Sequence, residues 1–275
     1  MTVSVDAKVE AVARRDRRVV IAALSIVIAL SWGYMLVGAG MGMSAVEMTR
    51  MSQQGISERI AGMTMMTPAS WTPGYAVLMF VMWWIMMVAM MLPSATPTVL
   101  LFAAINRKQR DIGHPYVATS VFALGYLAAW GGFSLVAVML QWAFERTHLL
   151  SSTLAGANLI LAGLLLLAAG VYQLTPLKHA CLRRCRSPLA FLVTHWRRGP
   201  RGALRVGLAH GAYCVGCCWS LMGLLFFGGV MNLYWIVGLA LLVFVEKIFP
   251  AGHWLGQITG VVLSVWGVVT LAFAF

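Results

Sequence analysis

Residues Tyr75–Ile105 read YAVLMFVMWWIMMVAMMLPSATPTVLLFAAI, thirty-one positions without a charged side chain. About 20 apolar residues in a helix span the ~30 Å of bilayer hydrocarbon, so this run is more than long enough for one crossing. It contains Pro93 and Pro97. Each proline removes a helical donor and crowds the preceding turn, which predicts a kink or break at Leu92–Pro97. Backbone freed in this way survives at membrane depth only against protein or a polar cavity, so the segment is expected to face the bundle interior.

Working outward, further apolar runs occur at 19–41, 116–140, 153–174, 206–229, 233–249 and 256–275. Together they predict an all-α polytopic transmembrane helix bundle of about seven spans. The whole chain is 61% hydrophobic and 10% charged, where a soluble domain carries about 25% charged residues. Residues 1–18 read as a basic cytoplasmic segment rather than a signal peptide, and 19–275 as one transmembrane domain. The sixth run is short. If it does not cross, it forms a re-entrant hairpin with the fifth and the seventh ends on the cytoplasmic side.

A net charge of +12 invites a nucleic-acid partner, but its distribution argues for lipid. Five Lys and Arg precede the first run, eight lie in 176–205, three in 106–115 and one in 246–254, against only Arg50, Arg59 and Arg146 in the alternate loops. Such asymmetry in short loops sets orientation by the positive-inside rule and attracts anionic lipid. It predicts a multi-pass protein of the bacterial inner membrane with a cytoplasmic N-terminus, a methionine-rich external loop at 42–74 and a basic cytoplasmic loop at 176–205. The bilayer is the partner this pattern implies, with a membrane or soluble partner protein, or a second copy of the chain, as further candidates.

Chemistry concentrates in HGAYCVGCC, residues 210–218. At about 100° per residue, His210, Cys214, Cys217 and Cys218 fall within an arc of ~100° on one helix face. Thiolate and imidazole donors suit a soft or borderline ion, Cu(I) or Zn(II). The competing reading is that cysteine packs as a small apolar residue. A second group, KHACLRRCR at 178–186, sets Cys181 and Cys185 one helical turn apart with His179 close in sequence, flanked by arginines. It reads either as a thiol exchange site or as a basic membrane-surface segment. On the second run Met79, Met82, Met86 and Met90 share an arc of ~80°, with Met87 and Met91 beside them. Their thioethers match Cu(I), although methionine is also an ordinary gap-filler. Glu246, set against an apolar run, is either a functional intramembrane acid, with Lys247, His253 or a cation as partner, or a marker of the water interface. Phosphate-binding glycine loops, a nucleophile elbow and paired catalytic carboxylates are missing from the sequence.

These residues resemble the bacterial predicted metal-binding integral membrane proteins. The resemblance is carried by Met90-Met91-Leu92-Pro93-Ser94, and by Leu174-Thr175-Pro176-Leu177-Lys178 through Cys181 and Cys185 to Ser187-Pro188. It continues in Gly207-Leu208, His210-Gly211, Tyr213-Cys214, Gly216-Cys217-Cys218-Trp219, Met222, Glu246-Lys247 and Pro250. It spans roughly residues 75–260 and implies a metal site at the cysteines.

The expectation is therefore a membrane protein that handles Cu(I), with zinc as the alternative ion, through transport, delivery or assembly. Cys214, Cys217, Cys218 and His210 would form an intramembrane site. Met86 and Met90 would make its outer approach, Cys181 and Cys185 with His179 a cytoplasmic exchange site, and Glu246 a further candidate ligand. Two other readings stay open: a metal-dependent membrane oxidoreductase or oxygenase subunit acting on a lipophilic substrate, and an assembly subunit without metal.

Overall fold

The computed structural model describes residues 2–53, 70–111, 118–147 and 159–274. All of its regular structure is helical. We number the helices α1 (Thr2–Leu36), α2 (Ala45–Gln53), α3 (Pro73–Asp111), α4 (Thr119–Arg146), α5 (Leu159–Gln173), α6 (Pro176–Arg186), α7 (Pro188–His195), α8 (Gly199–Gly223), α9 (Leu225–Gly228), α10 (Leu233–Ile248) and α11 (Gly252–Ala272). Large apolar side chains such as Leu135, Leu164, Val261 and Val265 lie exposed on the outside, the arrangement a hydrocarbon solvent favours.

Among the described residues, five segments are long and apolar enough to cross a membrane: Arg17–Leu36, Pro73–Lys108, Thr119–Arg146, Gly199–Gly228 and Gly252–Ala272. A sixth arises if α5 and α6, bent by 65° at their junction, count as one broken span. The polytopic bundle is as expected, while its number of spans is five or six rather than about seven. The difference lies in α10, whose 16 residues extend only ~24 Å, and, where five are counted, also in α5, described over 15 residues. α10 ends in Glu246 and Lys247, both buried. These two residues therefore do not mark a water interface; they are drawn into the bundle by partners described below.

The glycine-rich exit from α1 turns the chain sharply. Gly38 has φ +99°, and a Cβ there would lie 1.7 Å from the carbonyl oxygen of Met43, so only glycine fits. Ser44 then opens α2 with a capping box. Its amide and hydroxyl each donate to Glu47 at 2.8 Å, while the Glu47 amide donates back to the Ser44 hydroxyl at 3.2 Å. Those two bonds hold the Glu47 carboxyl below the usual carboxylate range. Of the methionine-rich loop expected on the external side, residues 54–69 lie outside the described residues.

α3 runs unbroken through Pro93 and Pro97, so of the kink or break expected there the break does not occur. Neighbouring hydroxyls serve the carbonyls around the prolines. Ser94 donates to the Met91 carbonyl at 2.9 Å, Tyr126 donates to the same oxygen at 3.2 Å, and Thr96 donates to Leu92 at 3.0 Å. The inward orientation holds, since Ala89, Met90, Met91, Leu92, Ala95, Thr98 and Val99 are all buried.

Small residues let the helices touch. α4 and α8 approach so closely that a Cβ on Gly125 would lie 2.2 Å from the Leu204 carbonyl oxygen, and one on Gly207 would lie 2.0 Å from that of Phe122. Gly163 and Gly170 of α5 lie equally close to α11. α8 is thereby packed against α4 on one side and α6 on another, and α3 packs against α4. This places the cysteine-bearing turns of α8 deep in the protein.

Candidate metal centre

α8 buries His210, Cys214, Cys217 and Cys218 together, as the ~100° arc predicts. The cysteines are free thiols. Those of Cys217 and Cys218 both donate to the carbonyl oxygen of Cys214, at 3.1 and 3.0 Å, which orients the two sulfurs from a single backbone group.

The second cysteine group was expected in a cytoplasmic loop apart from the first. It forms the helix α6 instead, started by Thr175, whose hydroxyl accepts from the Lys178 amide at 3.3 Å, and by Pro176 in the first turn. The helical phase then turns Lys178, Leu182 and Cys185 toward the bundle. Cys185 Sγ comes within 4.0 Å of Cys217 Sγ. Cys181 lies over Gly216, where a Cβ would approach its sulfur to 2.9 Å. The two groups read as separate sites along the sequence are thus neighbours in the fold.

Three further residues complete the surroundings: Lys247, suspected from the sequence only as a partner of Glu246, Met91, set beside the methionine arc, and Tyr126, which no sequence signal singled out. Lys247 Nζ donates to Cys214 Sγ at 2.9 Å and to Ser94 Oγ at 3.2 Å, setting an ammonium against the thiol cluster. The Tyr126 hydroxyl is 3.1 Å from Cys214 Sγ. Met91 Sδ lies 3.9 Å from Cys218 Sγ. Met86 and Met90 are buried on the same helix, but the thioether seen against a thiol is that of Met91. Met91 lies beside the Met79–Met90 arc and immediately precedes the Leu92–Pro97 segment assigned to the interior, so the sequence pointed inward here without singling it out as a donor.

The remaining candidates have other neighbours. His210 sits among the rings of Phe122, Tyr126 and Phe191, with centroids 6.1, 5.7 and 5.2 Å away, and its buried Nδ1 has no hydrogen-bond partner. His179 is half-buried, with Lys178, His253 and Arg183 as its charged neighbours. Glu246 pairs neither with Lys247 nor with His253. Its two oxygens accept from Lys178 Nζ at 2.7 and 2.9 Å, and Oε1 also accepts from the Gln173 amide at 3.1 Å. This ion pair is fully enclosed, Lys178 being 0% and Glu246 1% exposed. Gly256 makes room for it: a Cβ there would lie 2.8 Å from Glu246 Oε1 and 3.0 Å from Lys178 Nζ. The pair ties α6, which carries Cys181 and Cys185, to α10, which carries Lys247.

Among the described residues, no three or more His, Cys, Asp and Glu side chains are grouped to hold one metal ion. What the geometry offers is pairs of soft donors. Two sulfurs each ~2.3 Å from one ion, with an angle near ~120° between them, stand ~4.0 Å apart. The Cys185–Cys217 separation of 4.0 Å fits that spacing without rearrangement. A two-sulfur site is suited to Cu(I), which accepts low coordination numbers and soft donors.

Fold and site together define a multi-pass helical membrane protein with a buried, sulfur-rich centre. Residues 80–270 match the family described as "PpoB2: Copper chaperone", and the chain belongs to that family. No curated protein and no solved structure matches it.

Proposed function

We propose that this protein binds Cu(I) as cargo within the bacterial inner membrane and passes it on, with Cys185 and Cys217 as the principal donor pair. The observation that carries this reading is the 4.0 Å separation of their sulfurs, brought together from two helices that are distant in sequence. Membership of a copper-chaperone family supports copper over zinc. Copper bound by two thiolates carries one net negative charge, and burying it without a counter-charge would be costly. The Lys247 ammonium, 2.9 Å from Cys214 Sγ, supplies that charge. Cys214, Cys218 and His210 line the same turns of α8 and extend the donor set. In the orientation set by the basic segments, the N-terminus and α6 face the cytoplasm, so Cys181 and Cys185 form the exit toward a cytoplasmic acceptor.

Metal analysis of the full-length protein, purified anaerobically in detergent and loaded with Cu(I) against a competing chelator, tests the proposal. The wild type is expected to retain copper, and the Cys185→Ser/Cys217→Ser variant to lose about one ion per chain while keeping its helical circular dichroism. Serine keeps the size but removes the soft donor. Full copper retention by the double variant, or none in the reduced wild type, would overturn the assignment.

A further inference from the structure

Resting on that copper reading, we infer that Met91 and Cys218 form a second Cu(I) site in series with the Cys185–Cys217 pair, so that α8 carries two adjacent copper positions. Met91 Sδ and Cys218 Sγ stand 3.9 Å apart, a separation that lets both sulfurs bind one ion at ~2.3 Å. The pair bridges α3 and α8, whereas Cys185 and Cys217 bridge α6 and α8. The two sites therefore sit on either side of one helix turn. They are joined chemically, because the Cys217 and Cys218 thiols share the Cys214 carbonyl as acceptor.

The donor chemistry of the two positions differs in a way that suits their surroundings. One thiolate, one neutral thioether and Cu(I) sum to zero charge, the cheapest form in which copper can sit in an apolar interior. α3 also buries Met79, Met82, Met86, Met87 and Met90, further thioethers on the helix that carries Met91. The bis-thiolate position carries a negative charge and lies beside Lys247. Copper arriving along the methionines would be held first as a neutral complex and then by the stronger pair.

Transfer between the positions is a ligand exchange with no change of oxidation state. A Cu–Sγ bond to Cys217 forms as the Cu–Sδ bond to Met91 breaks. A second Cu–Sγ bond, to Cys185, then forms as the bond to Cys218 breaks. Cys185 and Cys217 each release a proton in this exchange; one returns to the Cys218 sulfur and the other leaves to solvent.

The test uses full-length protein labelled with selenomethionine and loaded anaerobically with Cu(I), examined by X-ray absorption at the copper edge together with copper counting. The wild type is expected to show selenium in the copper shell and about two coppers per chain. Met91→Leu, a change of nearly constant volume that the core should tolerate, is expected to lose the selenium signal and about one copper. Met139→Leu, at an exposed position on α4, should keep both. Selenium scattering absent from wild type that still holds its Cys185–Cys217 copper, or persisting unchanged in Met91→Leu, would overturn the second site alone. Failure of wild type to bind any copper would overturn both sites together.

Discussion

Replacing Lys178 by Met strips the buried Glu246 carboxylate of its ammonium partner and leaves only the Gln173 amide, 3.1 Å from Oε1. Removing one member of an enclosed ion pair typically costs about 3–5 kcal/mol, because the surviving charge stays desolvated. Both members here are at most 1% exposed, so solvent screening does not discount that figure. The Glu246→Gln single variant should be destabilised for the mirror reason, an unpaired ammonium. At ~2–4 °C per kcal/mol for a chain of this size, each single change should lower the melting temperature by roughly 6–20 °C. The double variant Lys178→Met/Glu246→Gln removes both charges and keeps an amide oxygen for Gln173 to donate to. Neutral replacements of buried pairs are often close to isoenergetic, so it should recover to within ~1 kcal/mol of wild type. Circular dichroism melting in detergent of all four proteins closes the cycle. Single variants that melt within ~2 °C of wild type, or a double variant no better than the worse single, would refute the argument that enclosure of the pair governs its energetics.

A topology reporter fused within 180–200 should behave as cytoplasmic and one fused within 45–70 as external, and the opposite result would reverse the orientation set by the basic segments. Gly125→Ala should destabilise the α4–α8 contact by more than the ~1 kcal/mol that helix propensity alone would return, because its Cβ would meet the rigid Leu204 backbone oxygen at 2.2 Å. Thermal melting that rises in this variant would show the interface to be looser than the structure has it.

The class of fold was legible because the hydrophobic runs exceed what any soluble core needs, and the buried arc on α8 was legible because 3.6-residue periodicity is local. What was not legible depends on which helices meet. Cys185 and Cys217 are 32 positions apart, and no periodicity within either helix says that α6 folds back along α8. Lys178 was hidden in a run of basic residues that reads as a solvated surface. Yet the Thr175-Pro176 start fixes its phase, and Lys178, Leu182 and Cys185 then recur at the spacing of one inward face. Glu246 was rightly suspected as an acid set against an apolar run, but its neighbour in sequence, Lys247, points to Cys214 instead. The surplus crossing has a similar origin. Runs of apolar residues measure hydrophobicity, whereas α10 reaches only 16 residues and ends in two charges that the bundle itself satisfies.

That satisfaction couples stability to the proposed chemistry. The carboxylate of Glu246 holds α6 through Lys178, and the adjacent Lys247 contacts the thiols of α8, so one end of α10 fixes both walls of the sulfur centre. A thiol pair at 4.0 Å is useful for copper only while α6 stays in register with α8, since sulfur separation changes directly with helix displacement. An interior built from apolar contacts alone would tolerate small sliding of one helix past another. An enclosed ion pair resists it, because Gly256 makes room for the pair where a Cβ would meet Glu246 Oε1 at 2.8 Å and Lys178 Nζ at 3.0 Å. The buried charges of this protein are therefore best understood as setting the distance between donors, with their net contribution to stability a secondary effect.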